Sequence, residues 1–133
     1  MFDPVISSLP AFASYFLTAV ILLVVFVGLY IFVTPYNELK LIRDGNDAAA
    51  VSLAGAVIGL ALPIAVAVAT SHNLYVMMGW GLVAGVVQLV TFTVARFILP
   101  GINQSIPQGR LAAGIFLASL SIGVGILNAG CIV

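Results

Sequence analysis

The sequence predicts an all-α membrane protein of four transmembrane helices, built as a duplicated two-helix unit. Three observations carry that reading. Hydrophobic residues make up 63% of the 133-residue chain and charged residues only 6%, against roughly 25% charged in a soluble domain. Mean hydropathy is +1.29. A soluble domain of this size still exposes about a third of its surface, so it cannot hide so many apolar side chains, and a soluble enzyme is excluded. The polar residues cluster, and cutting at the clusters leaves four long apolar runs. An internal match relates the second run to the fourth.

The first run covers about 12–33 and holds FLTAVILLVVFVGLYIFV without one charge. It follows MFDPVISSLP, whose only charge is Asp3. A secretory signal opens with positive charge, so this span is expected to stay in the protein. Pro35 cannot donate a backbone hydrogen bond and marks the end of the span. The next stretch, TPYNELKLIRDGND, is the most polar of the chain. There Leu39 and Ile42 lie at helical spacing, with Glu38, Lys40 and Arg43 on other faces. That suits either a short interfacial helix or a plain linker with snorkelling cations. Asp44-Gly45-Asn46 is turn chemistry, and Asp47 is placed to cap the second span. That span covers about 48–69, the third about 74–99 and the fourth about 111–132. Each run has the roughly 20 residues that a bilayer core of about 30 Å needs in a helix. No run alternates apolar and polar residues as barrel strands do. The chain, 1–133, is read as one integral membrane domain packed as a four-helix bundle.

Lys40 and Arg43 fall between spans 1 and 2, while Arg96 and Arg110 flank the connection between spans 3 and 4. All four cations thus lie on one side. The positive-inside rule assigns that side to the cytoplasm, with both termini in the periplasm. A shift of 64 residues lays Ala48–Gly59 over Ala112–Gly123, with Leu53, Ala54 and Ile58 meeting Leu117, Ala118 and Ile122. Each half then holds two helices in the same orientation, a parallel repeat about an axis along the membrane normal. Frequent Ala, Gly and Ser leave low complexity as the other source of the match.

Asp3, Glu38, Asp44 and Asp47 all lie outside the runs. No carboxylate is therefore expected in the membrane core, where proton- and cation-coupled transporters keep one. His72 stands alone in the outer linker, so no metal is expected, and no cofactor either. Cys131 is the only cysteine, which excludes an intramolecular disulfide; it either packs as a small apolar residue or pairs between chains. Zero net charge gives no footprint for nucleic acid. With no acid, base or nucleophile set in a span, the protein is read as not an enzyme.

What remains is small residues four apart: Gly55 and Gly59 in span 2, Gly81 and Gly85 in span 3, Ser119 and Gly123 in span 4. Such pairs let backbones approach, which drives helix association in lipid. A second stripe on span 4 runs through Gly114, Ala118, Ser121, Gly125 and Asn128. Spans 2 and 4 are expected to form the packed core, with span 1 facing the lipid bilayer. Gln88, Ser121 and Asn128 are the candidate intramembrane polar contacts, either as interhelical glue or as the lining of a pore. Arg96 is expected to snorkel to the headgroups.

Thr34-Pro35-x-Asn37-Glu38-x-x-Leu41-Ile42, followed by Asn46-x-Ala48-Ala49, resembles the first cytoplasmic loop of the YjfL-like bacterial inner-membrane proteins. These form the uncharacterised domain-of-unknown-function family number three-fifty. Asn128-Ala129-Gly130-Cys131 resembles that group's ending, and the likeness covers nearly the whole chain. The resemblance implies a bacterial inner-membrane location and brings no established activity. It also implies cytoplasmic membrane-maintenance proteins of the phage-shock type as companions. The leading expectation is a non-enzymatic homo-oligomer that organises the envelope and docks such a partner on Asn37, Glu38, Lys40 and Arg43. The alternative is a small oligomeric channel or transporter. The chain differs from small multidrug exporters, which need a glutamate inside span 1. It differs also from dual-topology fluoride channels, whose cation bias is small.

Overall fold

The computed structural model describes residues 3–71 and 73–132, which leaves His72 outside the described residues. Among the described residues six helices follow in order: α1 (Asp3–Val33), α2 (Glu38–Arg43), α3 (Asp47–Thr70), α4 (Leu74–Ile98), α5 (Ile102–Ser105) and α6 (Leu111–Ile132). Four of them, α1, α3, α4 and α6, are long and apolar enough to cross a membrane. The last three keep the expected bounds to within a residue. The first does not: α1 starts at Asp3, well before its apolar run. Pro4 stands in the first turn, where a missing N–H breaks no hydrogen bond. Pro10 removes one bond from the interior without ending the helix. At 31 residues α1 is about 46 Å long, more than a bilayer core needs.

The two longer connections, α1 to α3 and α4 to α6, are closed in the same way. Gly45 N–H donates to the Ile42 carbonyl and Asn46 N–H to that of Leu41. Gly109 N–H donates to Ile106 and Arg110 N–H to Ser105. Each is a Schellman closure with a left-handed glycine, φ 87° at Gly45 and 79° at Gly109. The equivalent residues stand 64 positions apart. Asn46, not Asp47, caps α3, because its Oδ1 accepts the Ala49 N–H at 3.0 Å. Its Nδ2 donates to the Ile106 carbonyl at 2.8 Å, which ties the first connection to the second. Ile102 and Ile106 then pack under Ala48, Ala49, Ala95 and Leu117. Both connections thus share one end of the molecule, the loop end.

The central helix is α3, which touches α1, α2, α4 and α6, the last most extensively. The two helices α3 and α6 run side by side in the same direction. Gly114 faces Ala48, Gly55 faces Ala118, and Gly125 faces Gly59. A methyl group added at Gly55, Gly59, Gly114 or Gly125 would collide with facing backbone. Ser119 and Gly123 stand apart from this seam. Both are exposed, and a Cβ at Gly123 would meet open space. The second stripe of α6 packs against α3 instead, and the Ser119–Gly123 face is left uncovered.

The other glycine pair works differently. Gly81 and Gly85 on α4 are sockets for the side chains of Leu22 and Phe26 from α1. Those two and Tyr30 form the buried stripe of α1, at spacings of four; the rest of that helix is largely exposed. Span 1 is peripheral, as its bulky aliphatics suggest, but it carries one anchoring edge.

Candidate functional site

The buried edge of α1 ends in Tyr30, and a polar cluster assembles around its hydroxyl at the loop end. Tyr30 reaches it because Leu22 and Phe26, two turns and one turn earlier, lock the rotation of α1 against α4. Its ring meets Phe92 edge-on, centroids 4.6 Å apart. Arg96 extends from the last turns of α4 and its Nη2 donates to the Tyr30 hydroxyl at 3.1 Å. Arg96 Nη1 donates to Asn103 Oδ1 at 2.9 Å. The guanidinium also sits 5.2 Å from the Tyr36 ring centroid, close enough for a cation–π contact. From the other side, Tyr30 Oη lies 3.1 Å from Ser52 Oγ of α3 and donates to Glu38 Oε1 at 3.5 Å. Tyr30 therefore joins a cation and a carboxyl group that do not touch directly.

Both charged residues depart from the sequence expectation. Glu38 was expected as a surface docking charge; it is 0% exposed, turned inward at the start of α2. Asn37 caps that helix by accepting the Lys40 N–H, and this orients the first helical residue toward α1 and α3. Burial pushes the Glu38 carboxyl from its ordinary 4.5 up to about 7, while the Arg96 charge and the Tyr30 and Ser52 hydroxyls pull it back down. Burial likewise pushes the Tyr36 hydroxyl up to about 12. Arg96 does not snorkel out. It is 7% exposed, because Tyr30 and Asn103 offer it acceptors inside the protein. Glu38 Oε2, Tyr36 Oη and Arg96 Nε have no hydrogen-bond partner among the described residues. An open groove of about 600 Å³ runs beside the cluster between α1 and α4, with Arg96 and Asn103 in its lining.

Of the other candidate docking residues, Asn37, Lys40 and Arg43 are exposed. Gln88 and Ser121 meet at the helix seam, where Gln88 Nε2 donates to the carbonyls of Gly59 at 2.7 Å and Ser121 at 3.3 Å. The first bond has a local cause. Pro63 has no N–H, so the Gly59 carbonyl, four residues earlier in α3, has no helical donor. Gln88 supplies the missing one. The Ser121 hydroxyl turns back to its own helix, on the Leu117 carbonyl at 2.9 Å. Asn128 lies elsewhere, bonding the Ala84 carbonyl at 3.1 Å. The three do not line a common passage within one chain.

Sequence reasoning missed the cluster, although signals were present. Tyr30 continues the Leu22–Phe26 spacing, and Arg96 is a lone cation inside an apolar run.

The profile of a sequence family described as Domain of Unknown Function (DUF350) matches residues 4–132. The chain is 32% identical over 127 residues, 96% of each chain, to the UPF0719 inner membrane protein YjfL of Escherichia coli (strain K12). It is 29% identical over 119 residues to the UPF0719 transmembrane protein YshE of Bacillus subtilis (strain 168), covering 88% of this chain and 89% of that one. No solved structure matches.

Proposed function

The chain belongs to the DUF350 family of membrane proteins, and from that premise we propose that it is a non-enzymatic inner-membrane protein that self-associates and presents its loop end to a cytoplasmic partner. The outer face of α6 carries the proposal. Ser119, Gly123 and Gly130 follow one another there, exposed, and nothing lies within 4 Å of a Cβ built on either glycine. The contact with α3 uses a different face. In lipid, small residues of this kind promote association by letting backbones approach, and a second copy of α6 supplies the matching surface.

Lys40 and Arg43, exposed on α2, support the loop end as the docking surface for a membrane-maintenance protein. The gathering of all four cations toward that end supports a cytoplasmic loop end and periplasmic termini. The matching closures at Gly45 and Gly109, with the parallel packing of α3 on α6, support a duplicated two-helix unit.

Cross-linking tests the reading. Ser119→Cys in a Cys131→Ser chain, oxidised in native membranes, should give a covalent dimer. Adding Gly123→Leu should abolish it without impairing insertion. No dimer from Ser119→Cys sinks self-association. Lys40→Ala with Arg43→Ala should lose partner recovery in pull-downs while the chain still inserts.

A small oligomeric channel or transporter is the second reading, favoured by Glu38, a carboxyl buried beside α3 and poised to titrate near neutrality. Proton flux into liposomes that is lost in Glu38→Gln would favour it over docking.

A further inference from the structure

The groove at the loop end has the features of a binding site, and Arg96 is its key. Its guanidinium is buried, yet both of its hydrogen-bond partners, the Tyr30 hydroxyl and the Asn103 side-chain oxygen, are neutral. Its Nε has no partner among the described residues. Guanidinium carries five donors and holds its charge at any ordinary pH. A buried cation whose hydrogen-bond partners are both neutral calls for an anion. The nearest carboxyl group, Glu38, reaches it only through Tyr30.

The walls say what kind of anion. Val33 and Pro35 from the end of α1, with Phe97 and Pro100 from the end of α4, make most of the rim apolar. Phe97 is 86% exposed beside the opening. The groove lies open on the flank of two helices long enough to span a membrane, within two turns of their ends. That level is where headgroup phosphates meet the first acyl carbons. A free inorganic anion would find its hydration stripped by apolar walls without gaining contact for them. An anionic lipid satisfies both parts, with phosphate on Arg96 and acyl chain along Phe97. Basic pockets between spans on the cytoplasmic side hold anionic headgroups in this manner.

The geometry points to a specific site for an anionic phospholipid in the groove between α1 and α4, its phosphate held by Arg96 and Asn103. The site stands whether or not the chain self-associates. Full-length protein in neutral detergent is titrated with phosphatidylglycerol, phosphatidylcholine or inorganic phosphate, and thermal unfolding is followed. Phosphatidylglycerol should raise the midpoint saturably; phosphatidylcholine and inorganic phosphate should not.

Arg96→Gln should weaken the apparent affinity for phosphatidylglycerol at least tenfold. Should that variant fail to fold, Thr93→Trp serves. Thr93 is exposed in the groove wall, with its hydroxyl bonded to its own helix at the Leu89 carbonyl, so an indole there fills the groove without entering the core. It too should lose the phosphatidylglycerol effect. Equal shifts from phosphatidylcholine and phosphatidylglycerol would overturn the proposal, as would an undiminished effect in Thr93→Trp. A shift from inorganic phosphate matching that of phosphatidylglycerol would make the groove an anion site with no call for lipid, and would overturn it equally.

Discussion

The seam between α3 and α6 and the flank between α1 and α4 both rest on glycine pairs, yet they pack in opposite ways. In the seam, Gly55, Gly59, Gly114 and Gly125 bring backbone against backbone. In the flank, Gly81 and Gly85 receive the side chains of Leu22 and Phe26, and an open groove lies beside the contact near the loop end. A small residue every four positions specifies that something comes close. What comes close is decided by the side chains of the facing helix. Small against small gives a rigid contact with nothing able to move aside. Small against large gives a contact that can adjust by rotating a side chain.

The sharpest way to break this comparison is to overfill both contacts. Gly59→Leu should destabilise the protein by about 3 kcal/mol or more, because the backbone of Ser121 faces it and cannot yield. Gly81→Ala should cost much less, since its nearest neighbour is the end of the Leu22 side chain. Unfolding in mixed micelles titrated with dodecyl sulfate measures both. Equal losses would erase the distinction between seam and flank.

The polar cluster at the loop end gives the next effect. Folding raises the Glu38 carboxyl to about 7, so the folded state holds the proton more tightly than the unfolded one. The resulting stability is fully present below about pH 4.5 and is lost as pH rises through about 7, on the order of 3 kcal/mol in all. Unfolding measured across that window should weaken with rising pH, and Glu38→Gln should flatten the profile. An unchanged slope in Glu38→Gln would assign the titration to another group. Tyr30, Ser52 and Arg96 face this carboxyl from α1, α3 and α4, and Tyr36 of the first connection feels its charge.

Gln88 sharpens the account of the seam. Gln88→Leu should cost about 1–3 kcal/mol, the penalty of leaving the Gly59 carbonyl without a donor. Pro63→Ala restores a backbone N–H to that carbonyl, so the same Gln88→Leu change should cost distinctly less in the Pro63→Ala background. If the double-mutant cycle shows no coupling, Gln88 holds the helices for some other reason. The smallest effect belongs to Gly79, which is exposed with nothing near it. Gly79→Ala should stabilise slightly, by up to about 1 kcal/mol, through helix propensity alone.

Much of the architecture is legible without coordinates. Hydropathy located the four long helices, since a bilayer asks for length and apolarity that local composition reports directly. Asp44-Gly45-Asn46 announced the first closure, because a left-handed glycine after a short helix is a local matter of sterics. The early start of α1 escaped, because hydropathy marks only the apolar run, whereas Pro4, Pro10 and the two serines before it are each compatible with a helix. Which face each helix turns inward was not legible. Helices that are apolar around their whole circumference carry no amphipathic signal to fix their rotation. Only the packed structure chose Gly114–Gly125 over Ser119–Gly123 for the seam, and only it turned Glu38 and Arg96 inward. Those choices depend on residues far apart in the chain: Tyr30 offering Arg96 an acceptor across 66 positions, Gln88 answering a proline on another helix. Span position follows from the energy of each segment in lipid, but rotation follows from its neighbours, and neighbours exist only once the helices meet.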